Sequence, residues 1–315
     1  MTHSPPPGTP RARIPGPQQP PPPYPRIGPG LWRRFLGGGL ALWALTAGTV
    51  YATRASAPLP TLILLGALLG PVAFVLWAYE RHARDLGVSA VLGCFLAGAT
   101  LDVPGIALVR PYPPHPSPGL LLGTALVEEA AKLAVLAFAL RRLPGIRGTR
   151  AGLVLGAAVG LGFAAPASFG YAVDAIVSAG STGSTDLRAL LETELPRGVL
   201  TPLGHGLWTA VTGAALLSSR RVDGRFRLGP PVLAACMGAC LLHVLTDSTP
   251  GLALWLAGRL TGAGVTPEHP AGAAGPAGRH LFALFSVGGL ALVGLAGVGW
   301  VRSLARRGTP WSHTP

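Results

Sequence analysis

Eight apolar runs, each about as long as a membrane-spanning helix, restrict what this chain can fold into. A helix needs roughly 20 consecutive apolar residues to cross the hydrocarbon core of a bilayer. The runs cover residues 35–53, 60–79, 89–109, 119–140, 151–176, 198–218, 229–247 and 280–301. Only 12% of the residues are charged, about half the share in soluble proteins, and the mean hydropathy is +0.47. The sequence therefore predicts an all-α, polytopic membrane helix bundle of about eight transmembrane helices.

The two ends of the chain differ from its apolar middle. Residues 1–30 contain twelve prolines and no apolar run, which predicts a disordered, Pro-rich cytoplasmic tail. We expect residues 31–304 to form one membrane-embedded domain and residues 305–315 a short cytoplasmic tail. The apolar stretch GLALWLAGRL, which begins at residue 251, is too short to span. We therefore expect a re-entrant or interfacial segment in the Gly-, Ala- and Pro-rich region 250–278.

The basic residues between the runs predict the orientation of the bundle. All but one of the 25 basic residues are arginine, a bias typical of GC-rich bacterial genomes, so we expect a bacterial inner or plasma membrane. With the amino terminus inside, eighteen arginines fall in inner segments and six in outer ones, which places both termini in the cytoplasm. The clusters form no continuous basic face with interleaved aromatic residues. The expected partner is therefore the lipid bilayer and not a nucleic acid.

Ionisable side chains are concentrated in three of the apolar runs, the fourth, sixth and seventh. In hydrocarbon such groups cost several kcal/mol and usually face a bundle interior or an aqueous cavity, where they serve function. They are, in chain order, Glu128, Glu129, Lys132, His205, His243 and Asp247. Counted from the predicted helix ends, all of them fall in the outer half of the membrane. We therefore expect one site, with His205 well inside the sixth helix and Asp247 at the outer rim of the seventh.

The spacing of these residues predicts which of them interact. Lys132 follows Glu128 by four positions and Glu129 by three, so its amine can reach either carboxylate. The two acids are adjacent and point about 100° apart on a helix. We therefore expect one acid to face a cavity while Lys132 or another helix holds the other. His243 and Asp247 are four apart, a spacing at which the carboxylate can fix the tautomer of the imidazole.

Two carboxylates and two histidines in a membrane cavity suit hydrolysis of a peptide bond. One carboxylate can activate water while a histidine stabilises the transition state. Alternatively, His205, His243 and Glu129 bind a divalent metal, with zinc the expected ion. The sequence contains no HExxH motif, which excludes a helix-borne zincin site. An interhelical salt-bridge cluster and a proton-coupled transporter are the competing interpretations, although no inverted-repeat hydropathy pattern supports a transporter.

Four motifs follow one another in order between residues 60 and 250. They are EEAAK at 128–132, GLGFAAPASFGYA at 160–172, GHGLWTAVTGA at 204–214 and LLHVLTDS at 241–248. Together they resemble the motifs of the PrsW-like intramembrane proteases, a family distantly related to the CAAX-type prenyl endopeptidases. The first matches the EExxK motif of that family, and the last has its histidine followed four residues later by a polar or acidic residue.

The resemblance implies a multipass protease of the metalloprotease type that cleaves membrane-associated proteins. The founding activity of the family is cleavage of a membrane-bound anti-sigma factor. The residues that it implies as catalytic are Glu128, Glu129, His205 and His243. The residues that it implies as supporting are Lys132, Asp247 and Tyr171. From its place at the entry of the sixth helix, we also expect Arg197 to support the site by meeting substrate backbone or lipid headgroups.

The second motif departs from the family pattern. The family sequence there reads Glu-x-x-x-Tyr, whereas this chain has Ala167 and Tyr171. Two alternatives follow. Either the acids of the first motif suffice, with Asp102 or Asp174 partly substituting, or the chain is a catalytically impaired pseudoprotease that binds membrane partners without cleaving them.

Overall fold

Helices are the secondary structure of the whole described part of the chain. The computed structural model describes residues 28–82, 86–109, 117–179, 187, 190–191, 198, 200, 203–262 and 275–307, without the side chains of 102–109, 174–179 and 275–276. Eight helices lie within these ranges. They are α1 (Leu31–Thr53), α2 (Leu59–His82), α3 (Val88–Val109), α4 (Pro118–Leu140), α5 (Thr149–Ala179), α6 (His205–Ser218), α7 (Pro230–Thr261) and α8 (Gly275–Arg307). Most of both predicted tails, at 1–27 and 308–315, lies outside the described residues.

The predicted fold class, an all-α polytopic bundle, is confirmed. Among the described residues, five helices are long and apolar enough to cross a membrane: α1, α2, α5, α7 and α8. Helix α4 also has the length of a spanning helix, 23 residues, but it carries three charged side chains in its middle. The described apolar part of α3, Val88–Leu101, is shorter. The chain is thus a multi-pass membrane protein, and the cytoplasmic location of its termini stays a prediction.

Two predicted helix boundaries are wrong. Helix α7 does not end at residue 247 but continues through Pro250 to Thr261, so GLALWLAGRL is part of a long helix and not a separate segment. A membrane bundle accommodates such a proline because neighbouring groups satisfy the freed backbone carbonyl. Helix α6 begins at His205, after a turn at Leu203 and Gly204, although residues 198 and 200 are themselves helical. The predicted sixth helix is therefore interrupted immediately before its histidine.

Helix α5 lies at the centre of the bundle and packs against α2, α3 and α6. Its contact with α6 runs along three glycines spaced by one helical turn, Gly152, Gly156 and Gly160. A Cβ atom at any of the three would overlap a backbone carbonyl oxygen of α6. Glycine lets the two helix backbones approach this closely, as in other membrane helix pairs. Helices α1 and α8 are peripheral, with 6% and 11% of their apolar spans buried.

Arg220 ties the end of α4 to the loop between α6 and α7. It is 5% exposed, and its guanidinium donates four hydrogen bonds to backbone oxygens. The acceptors are Leu140 at 2.9 Å, Leu143 at 2.8 Å, Ile146 at 3.0 Å and Gly224 at 2.8 Å. The last carbonyls of a helix lack partners within the helix, so the bond to Leu140 caps α4, while the other three bind the loops that follow α4 and α6. They also fix the helix that carries Glu128, Glu129 and Lys132.

We expect Arg220→Ala to destabilise the bundle. Hydrogen bonds from a charged group contribute about 1.5–3 kcal/mol, and here one side chain satisfies several buried carbonyls. The thermal unfolding midpoint of the detergent-solubilised protein should fall by roughly 5 °C or more. Arg221→Ala is the matched control because the Arg221 side chain is 67% exposed and pairs with Asp223 at 3.4 Å. An equal shift in both variants would contradict the capping role.

Candidate functional site

Lys132 connects both acids of α4 to a histidine on another helix. Its side chain is fully buried, and its Nζ lies 2.8 Å from Glu129 Oε1 and 3.4 Å from Glu128 Oε2. The same atom lies 2.9 Å from His205 Nδ1, and the ring face of Phe163 covers it at 4.1 Å. As the spacing predicted, the amine reaches either acid. Glu129 is fully buried, whereas the Glu128 side chain is 22% exposed, so the two acids do differ in their access to solvent.

His243 lies between the acids of α4 and the acid one turn further along α7. Its Nδ1 is 3.1 Å from Glu129 Oε1, which accepts the N–H of the ring. Its Nε2 is 3.3 Å from Asp247 Oδ2 and 3.8 Å from Glu128 Oε2. Asp247 thus lies within reach of the imidazole, as the four-residue spacing predicts, and Glu129 occupies the opposite nitrogen. Because α7 continues to Thr261, Asp247 also lies in the middle of its helix and not at the rim.

Aromatic rings pack against both histidines. Trp208 stacks on His243 with ring centroids 4.7 Å apart and an interplanar angle of 26°. Its edge meets His205 at 4.9 Å, and the two imidazoles meet edge to face at 5.0 Å. Phe163 adds a further edge contact to His205 at 5.4 Å. Sequence analysis did not single out Phe163, because an aromatic residue in an apolar run carries no signal of its tertiary contacts.

Three side chains meet in an arrangement that suits a metal ion. Glu128, His205 and His243 each offer one ligand atom, and these atoms lie within 4.8 Å of one another. Two imidazoles and one carboxylate form a common ligand set of catalytic zinc. The carboxylate in this group is Glu128 and not Glu129, the one that we had expected. Glu129 instead accepts a hydrogen bond from the other ring nitrogen of His243. In metal sites, a carboxylate that is not itself a ligand commonly occupies this position.

The hydrogen bonds of His243 provide a test of this fit. When Nδ1 donates to Glu129, the lone pair of Nε2 faces the carboxylate oxygens of Asp247 and Glu128. A lone pair and two carboxylates repel one another unless a proton or a cation lies between them. A divalent cation on Nε2 would relieve this repulsion, as would a proton, so the residues present fit a divalent cation without requiring one.

One oxygen of Glu129 has no hydrogen-bond partner among the described residues. Oε1 accepts from Lys132 and His243, but Oε2 is buried without a partner. Trp208 Nε1 and Thr209 Oγ1, both on α6, are likewise buried without partners. A buried polar atom of this kind is costly, and in a native structure it commonly marks a functional position or a bound water.

Glu128, Glu129, Lys132, His205 and His243 thus form one cluster, and Asp247 contacts its last member. Tyr171 is 55% exposed on α5. Arg197 lies outside the described residues, as do the side chains of Asp102 and Asp174.

Comparison with known proteins agrees with this geometry. Residues 64–265, well over half of the chain, match the family model described as PrsW family intramembrane metalloprotease. The matched segment runs from α2 past the end of α7 and contains the whole cluster. No curated protein and no solved structure matches the chain.

Proposed function

The chain belongs to the PrsW family of intramembrane metalloproteases, and we propose that it hydrolyses peptide bonds of membrane-associated proteins with Glu129 as the general base. One observation carries the assignment of the base. Glu129 is anchored through Oε1 by Lys132 and His243, while its buried Oε2 has no partner among the described residues. A general base needs this combination of a fixed carboxylate and one open oxygen.

Glu128, His205 and His243 are the residues that would hold a divalent cation, with zinc the first ion to test. When bound, such an ion supplies Lewis-acid activation of water and of the peptide carbonyl. The partial exposure of Glu128, at 22% of its side chain, gives water and substrate a route to this group. Glu129 and Lys132, both fully buried, support these possible metal ligands from inside the protein.

Neighbouring side chains hold Glu129 and the two histidines in one geometry. Glu129 Oε1 accepts from His243 Nδ1, which orients that ring, and Trp208 stacks on its face. Lys132 pairs with Glu129 Oε1 at 2.8 Å, which leaves Oε2 as the oxygen that would accept a proton. Lys132 also contacts His205 Nδ1, which couples α4 to the first residue of α6. Asp247 approaches His243 from the exposed side.

We propose that the chain is active despite Ala167. The possible metal ligands Glu128, His205 and His243 come from α4, α6 and α7, and no described residue of α5 is among them. The acids of the first motif already provide one ligand and one base. The alternative of an impaired pseudoprotease predicts binding of substrate without cleavage, which the experiment below separates from turnover.

A membrane-bound anti-sigma factor in a bacterial cell membrane is the first substrate class to test. The full chain, reconstituted in liposomes with such a protein, should cleave it, and a chelator should abolish cleavage while added zinc restores it. His205→Ala and His243→Ala should each lower kcat by at least about 1,000-fold, since each removes a ligand. Val127→Ala, at a 70% exposed position beside Glu128, is the matched control and should retain activity. Substrate binding without cleavage by the wild-type chain would contradict the proposal.

A further inference from the structure

A cavity of about 420 Å³ lies where α1 begins and α2 ends, and its walls include none of the residues of the cluster. The residues that line it are Pro29, Gly30, Trp32, Arg33, Glu80 and Arg81. Helices α1 and α2 pack against each other and run in opposite directions, so the start of one and the end of the other lie on the same side.

The cavity lies at the level of a membrane surface. Both helices are long and apolar enough to span the bilayer, and the cavity is at their ends. Trp32 occupies the position at which tryptophans anchor helices at the membrane–water interface. Arg33 and Arg81 belong to the inner, arginine-rich segments predicted from the sequence. The lipids nearest to this cavity therefore present their headgroups to it.

The charge in the cavity walls is positive on balance. Arg33 and Arg81 contribute two guanidinium groups, and Glu80 one carboxylate. That carboxylate accepts the backbone N–H groups of Gly30 at 2.9 Å and Trp32 at 3.3 Å. Gly30 is the N-cap of α1 and has no side chain to cap the helix, so Glu80 serves as its cap. The acid is thereby matched by the positive end of the helix, and neither arginine has a carboxylate partner among the described residues.

We propose that this cavity binds the phosphate group of an anionic phospholipid. Basic pockets between transmembrane helices on the cytoplasmic side bind such headgroups. The Arg33 guanidinium lies over the Trp32 ring, with 5.3 Å from its central carbon to the ring centroid. A guanidinium stacked by its face still presents its N–H edges to phosphate oxygens, to which it can donate two parallel hydrogen bonds. Free phosphate shares this chemistry but lacks acyl chains to pack beside α1 and α2.

The test is titration of the full chain in detergent with dioctanoyl phosphatidylglycerol, followed by native mass spectrometry of the bound lipid. The double variant Arg33→Gln/Arg81→Gln should bind this lipid at least about tenfold more weakly, since each arginine near a membrane surface contributes measurably to anion binding. Arg34→Gln is the matched control. Arg34 is the exposed neighbour of Arg33 and does not line the cavity, so its loss should change affinity less than about twofold.

Two further binding measurements identify the ligand. Dioctanoyl phosphatidylcholine should bind much more weakly than phosphatidylglycerol, and excess inorganic phosphate should fail to displace the anionic lipid. Full displacement by phosphate would assign the cavity to free phosphate and overturn the lipid assignment. Equal binding of both lipids, or equal losses in the double variant and Arg34→Gln, would overturn the site itself. Unchanged thermal midpoints of the variants without lipid are expected, because the substituted arginines are exposed.

Discussion

Glu129→Gln should leave a metal-loaded protein that no longer cleaves its substrate. The amide has the shape of the carboxylate, so it fills the same buried space, but it cannot accept the proton of the attacking water at Oε2. General bases typically contribute 10²–10⁴-fold to the rate, and we expect kcat to fall by at least about 1,000-fold. Metal content and kcat are measured on the same reconstituted sample. Because Glu129 also orients His243, zinc affinity should fall by about 10–100-fold, and the assay therefore uses saturating zinc.

Glu128→Gln is the informative partner of this variant. The adjacent acid belongs to the group of possible metal ligands, so its loss should remove the metal and the activity together, even at high zinc. Both variants lose one negative charge beside Lys132, and a purely electrostatic role of the acids would give them the same phenotype. Zinc retained by Glu128→Gln and lost by Glu129→Gln would reverse the two assigned roles. Normal cleavage by Glu129→Gln would exclude it as the base.

The sequence predicted contacts within one helix better than contacts between helices. The spacing of Glu128, Glu129 and Lys132 indicated that the amine reaches either acid, and the structure contains both ion pairs. Such a prediction needs only the helical repeat. The same repeat places adjacent acids about 100° apart, but the rotation of α4 within the bundle decides which one faces the histidines. That rotation depends on tertiary packing, and the predicted metal ligand was accordingly Glu129 and not Glu128.

The ends of the helices were also difficult to predict from the sequence. The apolar pattern continues from residue 198 to 218, so it does not reveal the turn at Leu203 and Gly204 that makes His205 the first residue of α6. Conversely, the seventh apolar run is predicted to end at residue 247, whereas α7 continues through Pro250 to Thr261. In a bundle, neighbouring side chains and backbone compensate for a lost helical hydrogen bond, which weakens the usual signals of helix ends. The contact between His205 and Lys132, 73 positions apart, has no local sequence signal at all.

Gly160→Ala should reduce kcat by about 100-fold while the protein still folds. A Cβ at this position would overlap the carbonyl oxygen of His205, so the start of α6 must shift away from α5. A misplacement of about 1 Å can cost roughly 100-fold in rate. Gly152→Ala is the matched control, since its Cβ would overlap Gly213 in the same interface, two turns from His205. Similar kcat in the two variants, measured in one cleavage assay, would contradict a positioning role of Gly160.

The contrast between the two glycines follows from where α6 begins. Overpacking costs about 1–3 kcal/mol at either position, so both variants should show comparable decreases in thermal midpoint. At Gly152 the displaced backbone belongs to the distal half of α6, which holds no reacting group. At Gly160 it is the backbone of His205, the first residue of α6, which follows the turn at Leu203 and Gly204. Its position then depends on α5 and on the Lys132 contact at Nδ1, so a shift here separates His205 from Glu128 and His243.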